Sequence, residues 1–160
     1  MAGLLYLFFQ FFLFNQLTLF RVAVPFVFLL FLFTLPFTLP TPALYLIAFV
    51  TGLVMDLFGE TETVGLHAFA CLLAMSLRGT VAELVTSSSY RGRAEISFRN
   101  QPLIWYVSIL APLILVHHLF YFFLEAFTFS GFFFTLLKVL ASGLYTFAFC
   151  FIFSYLFYMR

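Results

Sequence analysis

A chain of 160 residues that is 65% hydrophobic and only 8% charged excludes a soluble domain: soluble folds carry about a quarter charged residues, and a domain of this size leaves much of its surface exposed. The formal net charge of +1 excludes a nucleic-acid partner, which needs a dense basic patch. The lipid bilayer is therefore the expected solvent, and residues 1–160 read as a single polytopic transmembrane domain.

A helix needs about 20 apolar residues to cross a bilayer core of about 30 Å. On that measure the chain is an all-α integral membrane protein with six transmembrane helices. A barrel would need alternating polar residues for its lumen, and runs such as YLFFQFFLF and AFCFIFSYLFY have almost none. The first span is Leu4–Phe20. It has no basic n-region and no small-residue cleavage site, so it is expected to be a retained span and not a signal peptide. The second, Val22–Leu35, is short for a crossing and is expected to be tilted or broken. Next comes FTLPFTLPTP, residues 33–42. Proline removes donors and fixes φ, so this stretch predicts a stiff, extended bend.

The third span is Pro42–Phe58 and the fourth Val64–Val85. Between them Asp56, Glu60 and Glu62 fall on one short bend. Asp56 can accept hydrogen bonds from the start of the fourth helix and so tie the hairpin together. In the fourth span His67, Cys71, Ala74 and Arg78 follow helical spacing, with Ala70 beside them. Small residues four apart let helices approach closely. This face is expected to pack against another helix, with Arg78 snorkelling toward the headgroups. Cys71 and Cys150 lie inside apolar runs and read as small core residues.

The only extended polar stretch is residues 86–101, with Arg91, Arg93 and Arg99 against Glu95. By the positive-inside rule it is cytoplasmic. Six spans then put both termini in the cytoplasm, in agreement with Arg160, and the 56–64 bend outside. Arg21 and Lys138 run against that count. The fifth span, Pro102–Phe127, contains HHLFYFFLEAF. His118 and Glu125 are seven apart and share a face with Tyr121. Adjacent His117 and His118 point about 100° apart on a helix. They cannot both ligate one metal unaided, and HExxH is absent. A hydrogen-bonded polar seam is the expected role, with Glu125 meeting Lys138 of the sixth span, Gly131–Tyr158. Ser87–Ser89 have no histidine nearby in sequence, and no GxSxG, P-loop or paired intramembrane Asp motif occurs. No enzyme activity, cofactor or metal is expected. No larger internal repeat supports an inverted-repeat transporter.

GLVMDLFG followed by GLHAFA resembles the most recognisable stretch of the rod shape-determining MreD family: a Gly-Leu-x-x-Asp helix end and a Gly-Leu-His-Ala helix start. The matched positions are Gly52, Asp56, Gly65, Leu66, His67 and Ala68. Arg78 in AMSLRG resembles a family arginine near the end of the same helix. HHLFYFFLEAF resembles the fifth-span pattern of Bacteroidetes members, carrying His117, His118, Phe123, Glu125 and Phe127, and Asn15 and Pro25 also fit that group. Length and span number fit end to end. The FTLP repeat and the 28 phenylalanines depart from the family pattern.

The resemblance implies a non-enzymatic scaffold of the bacterial inner membrane. It would bind the transmembrane helix of MreC, in an elongasome assembly with MreB and the wall-building glycosyltransferase and transpeptidase, and help maintain rod shape through lateral peptidoglycan synthesis. The implied fold is similar to the substrate-binding component of energy-coupling-factor transporters. Apart from the resemblance, the small-residue face with Ala70 and Ala74 is a candidate either for packing within the chain or for docking the partner helix. The alternative is a small-molecule or lipid substrate-binding membrane component that uses His118, Tyr121 and Glu125 as a pocket wall.

Overall fold

The computed structural model describes residues 2–19, 22–59, 63–85, 102–127 and 131–158. Arg21, Glu60, Glu62, the arginine-bearing stretch 86–101, Ser87–Ser89 and Arg160 lie outside the described residues. The described residues form six α-helices and no strand: α1 (Ala2–Phe12), α2 (Phe28–Phe33), α3 (Thr41–Phe58), α4 (Leu66–Val85), α5 (Leu103–Ala126) and α6 (Phe132–Tyr158). A short 3-10 turn, Phe14–Gln16, follows α1.

The four helices α3 to α6 are long and apolar enough to cross a membrane. Their limits lie within two residues of the spans read from sequence. Each starts at a chain-breaking signal. Pro40 is extended before α3, with Pro42 in the helix's first turn, and Pro102 is extended before α5. These fixed φ values suit a helix start, where the missing N–H is not needed. Neighbours in sequence pack in sequence, α3 on α4, α4 on α5 and α5 on α6.

The first span requires correction, because α1 is too short to cross, whereas the second is broken, as its shortness suggested. α1 has 11 residues and α2 only six. Proline explains the second. Pro25 lacks an N–H and pushes Val24 toward extended backbone. At the far end the Thr34 hydroxyl bonds the carbonyl of Leu30 at 2.6 Å, and Pro36 follows. Despite its length α2 sits in the middle of the molecule. Phe28, Leu29, Leu30, Leu32 and Phe33 are fully buried, and α2 touches α1, α4 and α5.

The irregular backbone beside α2 needs partners, because unpaired backbone groups cost several kcal/mol in a membrane interior. Side chains supply them. Gln10 of α1, fully buried, donates to the carbonyl of Pro25 at 2.8 Å and accepts from the N–H of Phe28 at 3.2 Å. Ser142 of α6 accepts from Val24 N–H at 3.1 Å, and Thr146 from Phe26 N–H at 2.9 Å. Leu19 and Ala23 exchange backbone bonds at 2.9 and 3.0 Å. The broken segment is thus stitched to the helices on either side.

The FTLP segment also differs from expectation. It turns back on itself, with Leu39 N–H bonded to the carbonyl of Pro36 at 3.3 Å, instead of running extended. Arg78 holds this turn. Its guanidinium donates to the carbonyl of Leu35 and lies 3.9 Å over the Phe37 ring. Arg78 is 2% exposed and does not snorkel. The guanidinium satisfies a carbonyl just past the end of α2, and its planar face stacks on the aromatic ring.

Candidate functional site

The hairpin between α3 and α4 brings the motif residues into one joint. Gly65 takes φ +104°, a backbone conformation that disfavours any side chain. It precedes α4, and its carbonyl accepts the Phe69 N–H at 2.9 Å. Glycine has no side chain to satisfy the first helical N–H groups. Asp56 does so from α3, accepting from His67 N–H at 2.9 Å and Ala68 N–H at 3.1 Å. These are the donors an N-cap side chain normally satisfies, here met from another helix. The carboxylate is 3% exposed and sits at the positive end of the α4 dipole. Gly52 lies one turn before Asp56 on the same face. A Cβ there would stand 2.5 Å from the Cα of Ala68. The missing side chain therefore sets the helix separation that lets the carboxylate reach.

His67, which follows this cap, faces inward onto a ring cluster. It stacks on Tyr121 at 4.2 Å and on His117 at 5.5 Å between centroids. Phe26, from the broken segment, meets His67 at 4.8 Å and His118 at 5.0 Å. The two adjacent histidines have different fates. His118 is hydrogen-bonded on both sides: Nδ1 lies 2.8 Å from the carbonyl of Ile114, and Nε2 lies 3.0 Å from the Thr146 hydroxyl. A carbonyl can only accept, so Nδ1 carries the proton and Nε2 accepts from Thr146. Thr146 can therefore serve Phe26 N–H and His118 together. His117 is fully buried and has ring contacts alone; neither of its nitrogens has a hydrogen-bond partner among the described residues. The expected hydrogen-bonded seam therefore includes His118 and leaves His117 out.

The seam continues toward the hairpin end of α5. The Tyr121 hydroxyl donates to Glu125 at 3.4 Å, and Glu125 pairs with Lys138 of α6 at 3.6 Å. Both charged groups are partly exposed. They border a cavity of about 180 Å³ whose walls include Asn15, Phe26, His67, Tyr121 and Phe122. Asn15 is held there by Gln10, which donates to its side-chain oxygen at 3.0 Å.

The small-residue face of α4, a candidate for packing or for docking, is occupied within the chain. Ala70, Cys71 and Ala74 are fully buried inside the chain, where α4 packs between α3 and α5 and against α2. Small residues let those helices approach, so Ala70 and Ala74 pack inside this chain. Among the described residues no group of three histidine, cysteine or acidic side chains is placed to hold a metal ion.

Gln10, Ser142, Thr146 and Ser154 were not identified from sequence. On α6 the signal was a spacing of four: Ser142, Thr146, Cys150 and Ser154 form one buried stripe on a helix otherwise rich in phenylalanine. The Ser154 hydroxyl bonds that of Tyr106 on α5. No family model, curated protein or solved structure matches this chain.

Proposed function

We propose that this chain is a non-enzymatic scaffold of the bacterial cytoplasmic membrane, an MreD-like protein that binds the transmembrane helix of MreC. In this reading it holds MreC near MreB and the wall-synthesis glycosyltransferase and transpeptidase, and so supports rod shape. The observation that carries the proposal is the mechanical use of the motif. Gly52 sets a helix separation, Asp56 caps α4, and Gly65 makes the turn. A motif used in this way marks a shared architecture and not a reaction centre. The polar residues of the broken segment are likewise engaged in holding backbone. The hairpin faces the periplasm and both termini the cytoplasm, with the arginines of 86–101 retained inside.

With Ala70 and Ala74 buried, MreC must dock on a surface now turned to lipid. The exposed apolar side chains of α3 (Leu46, Phe49, Val50) and α6 (Leu137, Leu144, Ile152) provide such surfaces. The test is affinity purification of the tagged chain from its native membranes, read by mass spectrometry. Photo-crosslinkers at positions 49 and 144 then map the docking face. MreC is the expected partner. A correctly folded, membrane-inserted chain that recovers none of the wall-synthesis proteins would refute the assignment.

A further inference from the structure

The cavity at the hairpin end is unusual for its charge. It lies among helices that are otherwise apolar, yet Glu125 and Lys138 stand side by side on its wall. Their 3.6 Å separation is longer than a close charge-assisted hydrogen bond. The Tyr121–Glu125 bond, at 3.4 Å, is also long. Each charge is thus near its partner without being tightly held. The rest of the wall is mixed: Phe26, Tyr121 and Phe122 supply rings, Asn15, Thr18 and His67 supply hydrogen-bonding groups, and Val22, Val24 and Met55 supply aliphatic surface. Lys138 already lies 5.4 Å over the Phe122 ring, so that ring face accommodates a cation. His67 is 2% exposed, and its Nδ1 has no hydrogen-bond partner among the described residues.

We infer that this cavity binds a small zwitterion, with a primary ammonium group against Glu125 and the aromatic rings and an anionic oxygen group against Lys138. Charge balance selects this class. A simple cation or anion would take one member of the ion pair and leave the other without its partner. A zwitterion replaces both partners at once. Size sets a second limit. A cavity of about 150 Å³ can hold benzene, so about 180 Å³ accepts a group of roughly six to nine non-hydrogen atoms. Two sources share this chemistry: the phosphoethanolamine headgroup of a membrane lipid, and a free amino acid.

The experiment uses the purified full chain in detergent, with melting temperature recorded against increasing probe at constant ionic strength. The probes are O-phosphoethanolamine and L-alanine, with glycerol 3-phosphate and ethanolamine as controls that carry charge of one sign only. A saturable rise in Tm with at least one zwitterion, and none with either control, is expected. Co-purified phosphatidylethanolamine, detected by mass spectrometry, together with a response to phosphoethanolamine, assigns the lipid source. A response to alanine assigns the free amino acid. Either outcome sustains the inference. Glu125→Gln and Lys138→Gln should each weaken the response roughly tenfold or more, the usual effect of losing a charge-assisted partner. Each single variant leaves a lone charge, so the double variant Glu125→Gln/Lys138→Gln is measured as well. It removes both charges together and should keep the ligand-free Tm while abolishing the response. No response to any zwitterion, an equal response to a control, or an undiminished response in the double variant would overturn the inference.

Discussion

Asp56→Ala tests the joint that the whole hairpin depends on. The substitution removes the acceptor for two backbone N–H groups, His67 at 2.9 Å and Ala68 at 3.1 Å. Water cannot readily replace it, since the carboxylate is 3% exposed and Ala68 2%. Leaving a buried donor unsatisfied costs about 1–3 kcal/mol, and the lost charge at the helix start adds about 0.3–1 kcal/mol. Relief from burying a carboxylate offsets part of this. A net loss of about 3 kcal/mol follows, or roughly 6–12 °C in melting temperature for a chain of this size. Asp56→Asn is informative because it keeps the shape. One amide oxygen still accepts, but the NH2 group faces a donor, so more than half of the loss should remain. The assay is thermal melting in detergent, paired with hydrogen exchange read at single amides. Exchange should accelerate at His67 and Ala68 before it does in the middle of α5. A melting curve within about 1 °C of wild type, or unaltered exchange at those two amides, would refute the capping argument.

Gly52→Ala should destabilise by about 1–3 kcal/mol, because its Cβ would meet backbone atoms of Ala68 that cannot rotate away. Combined with Asp56→Ala it should cost less than the sum, since separating the helices already breaks the cap; full additivity of the two melting shifts would contradict this coupling. Thr146→Val removes both the acceptor for Phe26 N–H and the donor to His118 Nε2. A loss of about 2 kcal/mol is expected, and melting no different from wild type would show that the broken segment does not need that stitch. Ala74→Leu should lower the melting temperature of the isolated chain, because the site is fully buried and overpacking a core costs about 1–3 kcal/mol. Weaker recovery of MreC with unchanged melting would instead mean that the face is open. Phe127→Gly should be stabilising: Phe127 caps α5 with φ +48° and is 84% exposed. Relieving a left-handed non-glycine residue yields about 1 kcal/mol, seen as a small rise in Tm.

Hydropathy, with proline at the starts of α3 and α5 and glycine before α4 and α6, was enough to delimit α3 to α6. Those features act locally: an apolar run needs a bilayer-length helix, and a proline fixes where it begins. The Glu125–Lys138 pair could also be read from spacing, because a short turn joining antiparallel helices places facing ends together. Within residues 2–35 the break in the second span was legible in its shortness, but the end of α1 at Phe12 and the burial of α2 were not. An apolar run such as FVFLLFLF looks like a crossing helix whether it faces lipid or sits at the centre of a bundle. Only tertiary structure shows that α2 is a six-residue core element whose flanking backbone is satisfied by Gln10, Ser142 and Thr146, the latter two more than 100 residues away.

The amino-acid pattern by itself determined that the chain is helical and lipid-embedded, because apolar content and helix length are sums over neighbouring residues. It also identified Asp56, Gly65 and His67 as neighbours in one bend. The tertiary structure decided which polar groups are satisfied and by whom. It turned Arg78 inward onto Leu35 and Phe37, closed the Ala70 and Ala74 face, and left His117 without a hydrogen-bond partner among the described residues, beside the fully bonded His118. The physical reason is that a hydrogen bond in a dry interior depends on the position of its partner in space, and sequence order does not encode that position when the backbone between them is broken.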